Sequence, residues 1–189
     1  MKKLIDYIKL KTSLSKEDSN LIEGLFTFQK AAPNTLFLCE GNVERYVYFL
    51  NSGVVKGYRN IGGKIIVEQL IEEGNFFSSF ESFMQGTPAQ DNFESITECE
   101  VYKISKPGFV SWKSASHKWS NYVQDVINDH LNCKIQRVRD FQTLSAKERY
   151  IKFVENYPKL ALQVKVETIA SFLGLEPQSL SRIRRQLSI

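Results

Sequence analysis

The sequence predicts an α+β chain: helices at the start, an antiparallel β sandwich or barrel, one long helix, and a closing helical pair. Three observations carry this. Between Thr35 and Ser105, short runs rich in β-branched and aromatic residues alternate with turn residues about every ten positions. From Ser116 to Thr143, apolar residues recur at helical spacing without a break. The last stretch, "VETIASFLGLEPQSLSRIRRQLSI", sets a glycine between two short helical patterns and ends in a cluster of arginines.

Composition bounds the function. The chain has 189 residues and a net charge of +4, with 42% hydrophobic and 24% charged residues. At roughly 100–200 residues per domain, that is one large domain or two small ones. No apolar run approaches the ~20 residues that span a bilayer, and "MKKLIDYIKLKTSLSKED" lacks the apolar core of a secretory signal. From Lys134 onward there are 11 Lys and Arg against 5 Asp and Glu; the remainder has 14 against 16. A basic rear part behind a mildly acidic front suggests two functional regions, the second facing a polyanion. Cys39, Cys99 and Cys133 form no C-x-x-C pair. They read as free thiols in a reducing cytoplasm. With His117 and His130 they furnish no metal set, and no cofactor is expected.

The elements follow in order. The first ~30 residues read as helical, with Ser15 as an N-cap, Asp18 in the first turn and Leu21, Ile22, Leu25 and Phe26 on one face. "NTLFLCEG", "VYFLNSGVVKGYRN", "KIIVEQLIEEGNFF" and "ESITECEVYKIS" read as strands, with a tight hairpin at Asn60–Gly63. "SSFESFMQGTPAQDNF" reads as a short helix ending at Gly86, then a loop through Pro88. In the long helix, Trp119, Val123, Ile127, Leu131, Ile135 and Val138 form a stripe that Tyr122, Val126 and Phe141 widen. Apolar surface exceeding one face points to a second copy of the chain. Ser145 and Glu148 predict a capping box, and Pro158 lies just past that helix. "LALQVKV" is either a short strand or an extended linker.

The closing pair has the restrictions of a helix-turn-helix. Ala170 is small where a second helix would cross. Gly174, four residues on, suits a left-handed turn. Ile169, Leu173, Leu175, Leu180 and Ile183 are apolar where a shared core is needed, and Pro177 suits a first helical turn. On the second helix Gln178, Ser181, Arg182 and Arg185 fall outward. Gln and Arg are the side chains that pair with adenine and guanine in the major groove. Arg182 and Gln178 are therefore candidates for base reading, Ser179 and Ser181 for supporting contacts, and Thr168 and Arg185 for phosphate.

Taken whole, the chain resembles the cyclic-AMP receptor protein / fumarate-nitrate regulator (Crp/Fnr) family of bacterial transcription regulators. Three stretches carry the resemblance: "YFLNSGVVKGY", "EEGNFFSSFESFMQGTPAQDNFESITECEVYKIS" and "TIASFLGLEPQSLSRIRRQL". It implies an N-terminal antiparallel β-roll (a cyclic-nucleotide-binding-like jelly roll) with its helices over residues 1–115. A long dimerisation helix over 116–143 and a C-terminal winged helix-turn-helix over 144–189 would follow. With the chain ending at Ile189, any wing would fall in "LALQVKV". Signals would cross a hinge near Leu144 and Ser145. The implied function is sequence-specific, non-enzymatic DNA binding. The implied partners are a palindromic operator in double-stranded DNA, a second copy of the chain, RNA polymerase and an unidentified small-molecule effector.

The resemblance also has a gap. Nucleotide-binding members carry Gly-Glu-Leu and, about ten residues on, Arg-Ser or Arg-Thr. Here Ser78-Ser79-Phe80 and Ala89-Gln90 stand instead. A buried phosphate without a cation loses its main compensation for desolvation, so cyclic AMP is not the expected ligand. An inward-pointing Glu81 would oppose an anion further. No cysteine precedes Cys39, which excludes the family's N-terminal iron–sulfur sensor. Phe77, Ser78, Ser79, Glu81, Ala89 and Gln90, with Lys134 and Ile135 from the long helix, either line an effector pocket or simply fill the roll. Two rival readings are a cupin-like metal enzyme and a small-ligand-binding module without a DNA role. No histidine lies between Thr35 and Ser105 to support the first.

Overall fold

Ser15 shows how locally the fold begins. In the computed structural model, which describes residues 1–187, helices α1 (Lys2–Lys9) and α2 (Lys16–Leu25) lead the chain. Ser15 Oγ accepts from the Asp18 amide, and the Asp18 carboxylate accepts from the Ser15 amide. The expected cap is thus a complete capping box. Helix then ends earlier than expected, because Thr27–Ala31 forms strand β1. Its side chains are mostly exposed, so no alternation of buried and exposed residues marks it in the sequence.

Seven further strands follow: β2 (Leu36–Leu38), β3 (Tyr46–Ser52), β4 (Val54–Ile61), β5 (Lys64–Glu72), β6 (Phe76–Phe77), β7 (Asn92–Ser95) and β8 (Cys99–Ser105). They form two antiparallel four-stranded sheets, β1-β8-β3-β6 and β2-β7-β4-β5. Only Gly53 separates β3 from β4, yet these lie in opposite sheets. Its φ is +99°, and a Cβ there would sit 2.4 Å from the Glu98 carbonyl oxygen and 2.6 Å from Cys99 Sγ. No side chain fits that crossing. At the expected hairpin, Ile61 pairs with Lys64, and the Gly63 amide donates to Asn60 Oδ1 at 3.0 Å. Helix α3 (Phe80–Gln85) ends at Gly86 in the left-handed conformation, as the sequence predicts.

Between the sheets lie Tyr48, Leu50, Val55, Phe77, Phe93 and Val101, all buried. Tyr48 and Phe77 stack with centroids 4.9 Å apart. The outer face of the first sheet carries Val47, Phe49 and Ile104, covered by α1, α2, helix α4 (Lys106–Ser114) and the start of α5 (His117–Thr143). Trp112, Trp119 and Tyr122 are the buried aromatics of that layer. The sequence left α4 unassigned; Ser105 caps it and Pro107 sits in its first turn.

The 27 residues of α5 begin at the cap Ser116 and end before Leu144. Its apolar stripe divides. Trp119 and Val123 are buried, whereas Leu131, Ile135 and Val138 are about half exposed. Helix α6 (Ala146–Asn156) opens with the expected Ser145–Glu148 capping box.

The next segment corrects the sequence reading. "LALQVKV" is neither strand nor simple linker: Pro158–Gln163 is helix α7, and only Val164 and Lys165 are extended. Pro158 opens this helix, where its missing amide costs nothing, and Leu160 and Val164 bury their side chains. Among the described residues, no strand lies between α6 and the chain's end, so the expected wing is absent there; residues 188 and 189 lie outside the described residues. Helices α8 (Val166–Leu173) and α9 (Pro177–Gln186) complete the chain.

The third core joins this helical unit to the roll. Tyr150, Phe153, Leu160, Ile169, Ala170, Leu173, Leu180 and Ile183 pack together, with Val54, Leu70 and Ile96 of the roll against them. At the free edge of β5, Ser171 Oγ accepts from the Val67 amide at 2.9 Å and donates to the Ile65 carbonyl at 3.0 Å. Helix α8 thereby covers an edge that would otherwise be open to pairing.

Candidate functional site

Two regions concern function. The first is the α8–α9 pair. Ala170 is fully buried, and its carbonyl accepts from the Leu175 amide at 2.9 Å. Gly174 caps α8 with φ +65°, and a Cβ there would lie 2.5 Å from Phe141 Cε1 on α5. The turn therefore needs glycine for both conformation and space. Leu180 and Ile183 are buried; Leu175 and Leu187 are half-buried. On the opposite face of α9, Gln178, Arg182 and Arg185 are exposed. Ser179 and Ser181 are half-buried beside them, and Arg182 Nη2 donates to Ser179 Oγ at 3.5 Å. Thr168 is half-buried near the start of α8.

The second region is the β6–α3–β7 cassette. Here the eight candidate pocket residues scatter. Phe77 lies in the core between the sheets, against Tyr48, Phe37 and Phe93. Ser78 is buried and donates to the Tyr46 carbonyl at 2.9 Å. Ser79 is buried and donates to Asp91 Oδ1 at 2.5 Å. Ala89 is buried, its amide donating to Asn42 O and its carbonyl accepting from Gly41 N. Glu81 and Gln90 are exposed, so Glu81 does not point inward. Lys134 and Ile135 are exposed on α5. One cation does approach: Arg59 Nη1 donates to Gln90 Oε1 at 3.4 Å, while its Nε is held by Glu68 at 2.9 Å.

A residue that sequence reasoning missed lies at the centre of this cassette. Glu44 is 3% exposed. Its Oε1 accepts from the Arg45 and Tyr46 amides at 3.0 and 3.1 Å, and its own amide donates to Ser82 Oγ at 2.9 Å. Its Oε2 is buried without a partner among the described residues. A glutamate before an apolar strand reads as a surface residue, and nothing local signals its burial. Among the described residues, no three His, Cys, Asp or Glu side chains gather as a metal set.

Residues 28–113 match the family described as cyclic nucleotide-binding domain. Among solved structures, FixK2 from Bradyrhizobium japonicum superposes with a TM-score of 0.76 at 18% identity, over 87% of this chain and 85% of that one. A protein from Eubacterium rectale assigned to the Crp/Fnr transcriptional regulators gives 0.73 at 16%, over 97% and 88%. A CooA variant from Carboxydothermus hydrogenoformans gives 0.72 at 17%, over 92% and 81%. The chain has the fold of these Crp/Fnr-type structures, and residues 28–113 are similar to a cyclic nucleotide-binding domain. Curated proteins give no sequence match.

Within the matched stretch, Glu44 brings an acid to the cassette. Burial is the main reason its carboxyl is pushed from 4.5 up to about 7, and Asp91 adds to this. The amides of Tyr46, Arg45 and Ser79 pull the other way. Between about pH 4.5 and 7 the folded chain keeps a proton that the unfolded chain has released. Stability therefore falls as pH rises through that window and levels off above it. Glu44→Gln keeps an acceptor for both amides and removes the ionisation. Urea denaturation at pH 5 and pH 8 is expected to show wild type losing up to ~2–3 kcal/mol relative to this variant at the higher pH. Equal pH dependence in the two proteins would exclude Glu44 as the source.

Proposed function

We propose that the chain is a homodimeric, sequence-specific, non-enzymatic transcription regulator that does not respond to cyclic AMP. The observation that carries the reading is the division of α9: Leu180 and Ile183 face the core, whereas Gln178, Arg182 and Arg185 face outward. Pro177 starts this helix and Gly174 sets its angle to α8. On this reading residues 1–115 form the sensor-like unit, 116–143 the dimer helix and 144–189 the DNA-binding unit. Arg182 and Gln178 read base edges, Ser179 and Ser181 support them, and Thr168 and Arg185 hold phosphate. A cytoplasmic setting, and RNA polymerase as a further partner, belong to the same reading.

The exposed half of the α5 stripe supports the dimer. Leu131, Ile135 and Val138 lie at helical spacing on one open face. Paired about a twofold axis, two α9 helices would enter successive major grooves, with half-sites about one helical turn apart.

The cassette supports the negative part of the proposal. The roll's interior is taken by Phe77, Tyr48 and Phe93, and Glu44 is the acid among the buried polar side chains beside the cassette. At the Ala89-Gln90 position the nearby cation, Arg59, is already paired with Glu68, so a cyclic phosphate would lack a free counter-charge. Calorimetric titration of the full chain with cyclic AMP is expected to give no micromolar binding. Saturable micromolar heat would overturn that part.

For the DNA reading, fluorescence anisotropy on a selected duplex is the direct assay. Arg182→Ala is expected to cost ~1–3 kcal/mol on the preferred site and to relax specificity at one base pair. Loss spread evenly over all sequences would remove Arg182 from base reading. Should the chain bind no duplex at all, the rival reading of a ligand-binding module without a DNA role takes its place.

A further inference from the structure

A cleft walled by both the roll and the helical unit lies outside the cassette. A cavity of about 330 Å³ runs between β5, α5 and α6. Its volume falls in the range of small-molecule sites, roughly 300–1,000 Å³. Of the eight cassette candidates only Lys134 lines it. Phe76 and Phe80 wall one end, and Phe141, Phe153 and Phe172 the other. Aromatic walls with converging polar groups are the usual make-up of a ligand pocket, and here charged side chains of both signs share the lining.

The polar groups left unpaired define the ligand. Three of the four acids on its walls are engaged: Glu68 pairs with Arg59, Asp129 with Lys11 and Asp140 with Lys152, while burial raises the pKa of the fourth, Glu72. Three cations on its walls, Lys134, Arg137 and Arg149, have no carboxylate partner among the described residues; Arg149 donates to the Leu173 and Leu144 carbonyls instead. Arg137 Nη2 donates to the Val67 and Phe172 carbonyls, but its Nε is buried without a partner. Two turns earlier on the same face of α5, His130 Nε2 is also buried and unpartnered. Buried polar atoms without partners are uncommon, and each calls for an explanation.

We propose that this cavity binds a small organic carboxylate with an apolar or aromatic body. The carboxylate lies toward Arg137 and Lys134, and the body lies between the aromatic walls. Guanidinium–carboxylate pairing supplies the orientation. Burial keeps the His130 imidazole neutral, well below its usual range at about 4, so it offers a hydrogen bond without adding charge. Because β5 belongs to the roll and α6 to the helical unit, a ligand here touches both. Any effect on DNA affinity rests on the regulator reading; binding itself does not.

The test is calorimetry on the full chain without DNA, using 1-naphthoate, indole-3-acetate and octanoate beside their neutral alcohols. At least one carboxylate is expected to saturate one site per chain, and its alcohol to bind roughly tenfold more weakly or worse. Cys133→Trp, which puts bulk into the cavity without altering charge, is expected to abolish binding. Lys134→Gln, an exposed change that spares the core, is expected to weaken the carboxylate and leave the alcohol unchanged. No binding by any of the three carboxylates, equal binding of acids and alcohols, or unaltered binding in a folded Cys133→Trp chain would overturn the proposal. Since the readout contains no DNA, its failure is separate from failure of the regulator reading.

Discussion

One half-buried guanidinium ties the chain's three parts together. Arg137 projects from α5 and donates to the Val67 carbonyl of β5 at 3.0 Å and to the Phe172 carbonyl of α8 at 2.9 Å. The rings of Phe141 and Phe172 lie within about 5 Å of its charge. Burial lowers its pKa, yet a guanidinium stays charged at any physiological pH. A charge so placed is costly unless its donors are used. The arrangement therefore holds only while roll, long helix and helical pair keep their places. Displacing α8 would release a carbonyl and a donor together.

That constraint links the rest. Gly174 can cap α8 only because no side chain stands between it and Phe141. Phe141 in turn packs against Arg137 and Arg149, whose Nε and Nη1 donate to the Leu173 and Leu144 carbonyls. Ser171 secures the same helix to the edge of β5. The turn that sets the angle of α9 is thus fastened to the roll through one short series of contacts. On the regulator reading, anything that shifts α5 against β5 changes how α9 is presented.

Legibility in the sequence followed range. The Ser15 and Ser145 caps, the Gly86 stop, the Asn60–Gly63 hairpin and the Ala170–Gly174 spacing each depend on residues within a few positions, and all are present. Strand β1 was missed because it is held by β8, some seventy residues away, rather than by its own pattern. Helices α4 and α7 escape sequence reading because each carries a proline in its first turn that reads equally well as a boundary. At the site, the outward face of α9 was legible from helical periodicity alone. Glu44 and Arg137 were not. Their importance comes from burial and from carbonyls and amides that only the folded chain brings near them.

The central claim is that α9 reads DNA as one half of a symmetric pair. Selection of bound sequences from random duplex DNA tests it most directly. The account predicts an enriched inverted repeat whose half-sites lie about one helical turn apart. Enrichment of no sequence, or of a single unpaired half-site, would contradict it.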